Sequence, residues 1–352
     1  MTNEKRELFA TLGLIAEESV ANESVNTELE PEVELTALES IESELKDLDE
    51  IERCQDEAEK ASFESMVSDL ELLNSVLAYK SVKTAGAEET TALESISAEF
   101  GISTEGIKDL AEKGVDAIKT LIDKIISLFK QMFGAAKAQE KVLKSLEYKV
   151  SVVSEAQKGK YDLKEFARIM GQTMILGAMS QKGYSVSDFP SSGSLQSIID
   201  IANKAAKDYY EDSAIRESIY KPFTGKLIYI EKGIEEVNEK SKSVEDLADF
   251  DYHQGAVKLI KAMRMYKIAD TLKGAIAEFE RVAAKIKNSK KKNQDDADKL
   301  IANMSKMDMA ECIKTANKFK DLNSANVRAL VKLCGQYIKA AKADKPAEEK
   351  AA

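Results

Sequence analysis

Between Thr104 and Phe133 apolar side chains fall at Ile107, Leu110, Val115, Ile118, Leu121, Ile122, Ile125, Ile126, Phe129, Met132 and Phe133, with Lys108, Lys119, Asp123, Lys124 and Lys130 between them. Steps of three and four residues place the first set along one side of a helix and the lysines on the other. Thr104 is the expected cap, Glu105 sits in the electropositive first turn, and Gly134 is the expected stop. Such a helix runs about 45 Å at ~1.5 Å per residue, and so wide an apolar face has to be covered. A protein core is the expected cover, and a bilayer surface is the alternative.

The same period recurs along the chain. Val33, Leu38, Ile41, Leu45, Leu48 and Ile51 space a Glu-dense stretch over 17–60, and Met66, Leu70, Leu73 and Leu77 continue the pattern through Phe63–Tyr79. Crowded like charge destabilises an isolated helix, so the acidic stretch needs a partner. Ser81–Thr90 is small and polar, an expected linker. Further helices are expected over Ala135–Ser154, Asp162–Gln181 with Asp162 as cap, Ser194–Tyr220 and Gln254–Lys287. Two or three shorter ones follow, the last starting near Ser324. Gly183–Gly193 reads as a loop. Tyr148–Val153 and Leu227–Ile230 carry strand-like propensity that competes with helix. Strand-rich chains need many turns, yet this one has 4 Pro, no Trp and 6% aromatic residues among 352. The expected fold is all-α: an elongated or irregular helical bundle behind a flexible, partly helical acidic N-terminal segment.

The sequence carries little chemistry. Cys54, Cys312 and Cys334 are dispersed and form no CxxC, which argues against a disulfide framework and for a reducing compartment. The single histidine, His253, has too few companions for a transition-metal site, and no nucleophile elbow accompanies it. It reads as a surface or half-buried residue near a helix start. No Gly-rich phosphate loop or dinucleotide fingerprint is present, and carboxylate pairs in Glu-rich helices are explained by solvated faces. A non-enzymatic protein without cofactor or metal is expected. The longest uncharged run, Ile169–Gln181, is too short for the roughly 20 residues of a membrane span, so no stable transmembrane insertion is expected. Glu4, Glu7, Glu17 and Glu18 spoil a signal-peptide reading of Leu8–Ala16, so secretion is not expected.

Charge is divided by position. Residues 1–99 carry 26 acidic and 7 basic side chains, a net charge of −19, whereas residues 100–352 carry 36 and 44, a net charge of +8. The first part repels polyanions and the second tolerates them. Lys285, Lys287, Lys290, Lys291 and Lys292 form a basic cluster between two helices, which reads either as a solvated loop or as a weak, salt-sensitive, sequence-independent contact to nucleic acid.

The hexapeptide TALESI occurs at Thr36–Ile41 and again at Thr91–Ile96, and the second copy runs into Ser97-Ala98-Glu99 and then Phe100-Gly101. Together with the helix that follows, over roughly residues 85–135, this arrangement resembles internal head proteins of large tailed phages, the inner-body or prohead-core class. The resemblance implies an acidic propeptide, removed by a phage prohead protease after a small residue, any residue and Glu, or after Leu or Ile in place of the small residue. Carried onto this chain, Ser97 is the small residue, Glu99 ends the propeptide and Phe100 is the new N-terminus. Glu88, Glu89 and Glu42 end further small-x-Glu tripeptides, and Glu50 and Glu17 fit the Leu/Ile form.

The implied protein is made in the host cytoplasm and resides in the virion interior. Its implied partners are the prohead protease, other head or core proteins, packaged DNA without sequence preference, and further copies of itself. Some members of the class are ejected with the DNA. The expected organisation is an acidic propeptide over 1–99, a helical body over 100–340 with a split into two sub-bundles near 183–193, and a frayed tail over 341–352. Two other readings stay open: a scaffolding protein that uses its acidic coiled-coil segment to bind a partner, and a membrane-active protein acting through residues 105–133.

Overall fold

A computed structural model describes residues 43, 57–84, 89–153, 159–180, 193–213, 221–223, 225–245, 247, 249–289 and 309–343. All of them belong to the unit Leu38–Ala352. Of the acidic stretch expected to be helical over 17–60, residues 57–60 are helical, and the rest, apart from Ser43, lies outside the described residues. The described residues form nine α-helices, one short 3-10 turn at Lys221–Phe223 and no strand. The helices are α1 (Glu57–Thr84), α2 (Glu89–Phe100), α3 (Thr104–Ser151), α4 (Leu163–Ser180), α5 (Ser194–Ser213), α6 (Leu227–Ser241), α7 (Tyr252–Met265), α8 (Ile268–Ser289) and α9 (Met309–Ala343). The all-α expectation holds over these residues.

Helix α3 is the spine. It spans 48 residues, about 70 Å at ~1.5 Å per residue, and outruns the expected stop. Gly134 lies on its exposed side, where a Cβ would meet nothing within 4 Å. A solvent-side glycine costs a helix about 1 kcal/mol, which burial of Met132, Ala136, Leu143, Leu146 and Val150 on the opposite side outweighs. The strand-like run at Tyr148 therefore finishes α3, and Tyr148 itself stays 70% exposed. The cap also differs from expectation: Ser103, not Thr104, takes the extended conformation, and its Oγ accepts from the Gly106 amide at 3.1 Å.

Helix α4 is the buried centre and packs against α5, α6, α7 and α9. Its cap is the expected Asp162, whose Oδ1 accepts from the Lys164 amide at 2.9 Å. Two glycines set how closely its neighbours approach. A Cβ on Gly171 of α4 would lie 2.6 Å from Ile198 of α5 and 2.8 Å from Val237 of α6, and one on Gly233 of α6 would lie 2.4 Å from the Ala205 Cβ of α5. Helix α6 contains Leu227–Ile230, which is helical in spite of its strand propensity. Tertiary burial of Ile230, Ile234 and Val237 at helical spacing decides between the two. Across the α4–α6 contact, Arg168 donates to Glu165 and Gln172, and Gln172 donates to Asn238 at 2.6 Å. The Arg168 hydrogen bond holds the Glu165 carboxyl below the ordinary range.

The segment expected to form one helix over Gln254–Lys287 is divided. Lys267 takes φ +47 between α7 and α8. Tyr266, fully buried, donates its hydroxyl to the Thr173 carbonyl of α4, and the one-residue turn that follows lets α8 lie along α3. Conversely, the helix expected to start near Ser324 is part of the 35-residue α9, while residues 290–308 lie outside the described residues. Ser324 does not cap a helix. It accepts from Gln139 of α3 at 2.6 Å, and its neighbour Asn323 donates to the same Gln139. Gln139 engages both side chains from the facing helix, so they do not interrupt α9, although the buried Asn323 Oδ1 has no hydrogen-bond partner among the described residues.

One apolar cluster runs through the fold. The Phe129 ring of α3 lies tilted 5.4 Å from Phe279 of α8 and 6.2 Å from Phe223, and Phe223 lies 5.7 Å from Phe319 of α9. The cluster includes buried residues from both sides of 183–193, among them Ile175 and Met179 of α4 and Leu195 and Ile198 of α5. Met66, Leu70 and Leu73 of α1 also belong to it. A smaller cluster joins Val76 and Tyr79 of α1, Leu93 and Ile96 of α2, and Ile107 of α3.

Candidate functional site

The junction singled out in the sequence lies at the end of α2. Ser97 is half-buried, Ala98 and Glu99 are exposed, and Phe100 is half-buried against the smaller cluster. All four residues are helical. The helix stops at Gly101, whose φ of +66 is the left-handed conformation that glycine adopts without strain and whose amide donates to the Ser97 carbonyl at 3.0 Å. Two residues later Ser103 begins α3. The junction is thus the last turn of α2, just ahead of the three-residue corner at 101–103, with its Glu carboxylate in solvent and its backbone hydrogen-bonded. Leu93 and Ile96, buried one turn earlier, hold α2 in place. Glu88 and Glu42 lie outside the described residues, and Glu89 begins α2.

Acidic side chains ahead of this corner meet basic ones behind it. Glu71 of α1 pairs with Lys314 of α9 at 2.5 Å, and Asp69 pairs with Lys124 of α3 at 3.7 Å. This docking of α1 was not anticipated. The available signal was the spacing of Met66, Leu70 and Leu73, which shows that α1 has an apolar face but not which helices cover it.

Of the basic cluster, Lys285 and Lys287 are exposed near the end of α8, while Lys290, Lys291 and Lys292 lie outside the described residues. The structure thus shows two of the five facing solvent. His253 is the second residue of α7, half-buried as expected, with Nδ1 3.1 Å from the Tyr337 hydroxyl. Cys312 and Cys334 are buried and form no disulfide among the described residues, and burial pushes the Cys334 thiol well above its ordinary range, which keeps it in its unreactive form. Burial also pushes the Tyr210 hydroxyl up to about 12. Among the described residues no group of three or more His, Cys, Asp or Glu side chains converges on a point that could hold a metal ion. Nor is any helix among them long and apolar enough to cross a membrane.

A protein-family model described as phiKZ-like phage internal head proteins matches residues 16–215. That range takes in the acidic N-terminal part, the junction, the whole of α3 and α4, and α5. No curated protein and no solved structure matches the chain. The matched range covers more than half of the 352 residues, and it contains the corner and the spine helix on which the resemblance in the sequence rested. The chain belongs to the phiKZ-like phage internal head proteins.

Proposed function

We propose that this chain is a structural, non-enzymatic component of the head interior, made as a precursor, cut after Glu99 by the prohead protease and retained with packaged DNA. The observation that carries the reading is the coincidence of charge and position at one exposed corner. Residues up to Glu99 hold a net charge of −19 and those after it +8. Before packaging, the acidic leader keeps the body off polyanions. Afterwards a basic body can lie among phosphates, where release of counterions favours it. The leader shares the body's core, since Met66, Leu70 and Leu73 belong to the main cluster and Phe63 packs against it, but among the described residues the other buried members of that cluster all follow Glu99. The membrane-active reading is disfavoured because Ile107, Leu121, Ile122, Ile125 and Phe129 of α3 are already buried within the protein.

Purified precursor incubated with the prohead protease is expected to give one body fragment beginning at Phe100. An uncut chain, or cuts only after Glu42, Glu88 or Glu89, contradicts the assignment. Proteases act on locally opened chain, and when opening is fast relative to cleavage the rate follows the open population. The scissile bond is helical here, so loosening α2 should speed the cut. Ile96→Ala, which removes a buried side chain from the smaller cluster, costs on the order of 2 kcal/mol locally, and a rise of at least about tenfold in cleavage rate is expected. Time-course electrophoresis measures it.

The DNA part has its own test. The cut body is expected to bind duplex DNA weakly and without sequence preference. Replacing Lys285, Lys287, Lys290, Lys291 and Lys292 by Gln should flatten the dependence of log affinity on log salt by up to about 4.5. Fluorescence anisotropy in a salt series reads this slope.

A further inference from the structure

We propose that the cut at Glu99 does not release the leader: α1 and α2 stay seated on the body as a non-covalent subunit, and release is a separate, later event. The proposal rests on the processing reading above, but it concerns what the cleaved halves do rather than whether they are made. Hydrolysis adds one water across the Glu99–Phe100 bond, leaving a carboxylate on Glu99 and an amine on Phe100. Nothing in that step removes the contacts that hold the leader.

Those contacts are mostly apolar. Met66, Leu70 and Leu73 are at most 6% exposed and share the main cluster with α3 and α9. Val76, Leu93 and Ile96 close over Ile107, which is fully buried. The arrangement is a helix packed through one row of apolar side chains against α3 and α9, a mode that binds separate chains as well as tethered ones. Cutting the tether removes the benefit of high effective concentration but none of the buried area. Immediate departure would expose a contiguous apolar face on α3 and α9, a state that soluble surfaces avoid.

The ion pairs at the rim do not decide the matter. Asp69–Lys124 has side chains 49% and 57% exposed, and Glu71–Lys314 has side chains 43% and 37% exposed. Pairs as open as these contribute little and are screened by salt. The apolar stripe therefore holds the acidic helix in place beside Lys124 and Lys314. The −19 of residues 1–99 therefore leaves the body when the helix is displaced, not when the bond is broken.

The test uses the full chain with a recognition sequence for a site-specific protease inserted between Phe100 and Gly101. After complete cleavage at about 10 µM, where only complexes with Kd in the micromolar range or tighter persist, native mass spectrometry and gel filtration are expected to show leader and body in one species. Raising salt to about 1 M should leave that species largely intact, because screening reaches only the rim. A double variant, Leu70→Asp with Leu73→Asp, should lose the leader on cleavage while the body keeps its helical circular dichroism. A leader that elutes alone from the unaltered chain overturns the proposal. So does a leader that stays bound in a double variant that retains its helicity. An engineered cut needs no phage enzyme, so a chain that is never processed in the particle would refute the processing reading and leave this result standing.

Discussion

Glu99→Gln is expected to leave the chain at full length in the presence of the prohead protease, with cleavage after residue 99 slowed by roughly 100-fold. The resemblance implies that the enzyme recognises the carboxylate of the small-x-Glu tripeptide, and losing one charged partner from a desolvated pair costs about 3 kcal/mol. Folding should not be disturbed. Glu99 is exposed, and an acidic side chain in the last turn of a helix opposes the helix dipole, so the neutral variant is slightly favourable for α2. Glu94→Gln, also exposed and on the same helix, serves as the control and should be cut at the normal rate. Equal cleavage of both variants would place the cut elsewhere. This result is opposite in sign to that of Ile96→Ala, which leaves recognition intact and loosens the helix, so the pair separates recognition of the site from access to it.

Gly171→Leu is expected to destabilise the body by about 3 kcal/mol or more, lowering Tm by roughly 10 °C for a domain of this size. The first added carbon already lies within 2.8 Å of both Ile198 and Val237, and these belong to two different helices that hold α4 between them. Neither can move without opening its own packing against the core. Gly134→Ala is expected to do the reverse, stabilising by about 0.5–1 kcal/mol, because its site is a solvent-facing helix position with open space around it. Thermal melts of the two variants, followed by circular dichroism, should move to opposite sides of the parent. If both moved together, the close approach of α4, α5 and α6 would be wrong.

Helix placement was legible because it follows from spacing. Ile122, Ile125, Phe129 and Met132 recur at steps that only a helix places on one face, and Asp162 is a cap that its neighbours need. What was not legible came from partners distant in sequence. Gly134 reads as a stop until Ala136, Leu143 and Leu146 are seen buried on the far side of the same helix. Ser324 reads as a helix start until Gln139 of α3 meets it. The turn at Lys267 depends on Tyr266 reaching Thr173, a contact across 93 residues. The same distinction runs through the candidate site. Ser97-Ala98-Glu99 was visible as a tripeptide, and the charge step beside it could be counted. That the tripeptide is helical depends on Leu93 and Ile96 finding Val76 and Ile107. That the acidic side docks on the basic side depends on three apolar residues of α1 hidden among carboxylates.

The processing proposed above would run in stages. The helix α1, whose acidic rim meets Lys124 and Lys314, is folded with the body, and the Glu99–Phe100 bond lies in the last turn of α2. Local opening of α2 would expose that bond, and hydrolysis would separate the chain into two pieces. Undocking of α1 would then remove the leader's charge. Each stage has its own residue: Ile96 for opening, Glu99 for cutting, and Leu70 with Leu73 for undocking.

The most direct measurement is the denaturing intact mass of this chain from purified mature particles. Denaturation separates any docked leader, so the mass reports covalent structure alone. A body whose mass corresponds to a start at Phe100 is the expected result. A chain that still carries residues 1–99 in covalent continuity with Phe100 would contradict the division of this protein into a removable acidic leader and a basic body.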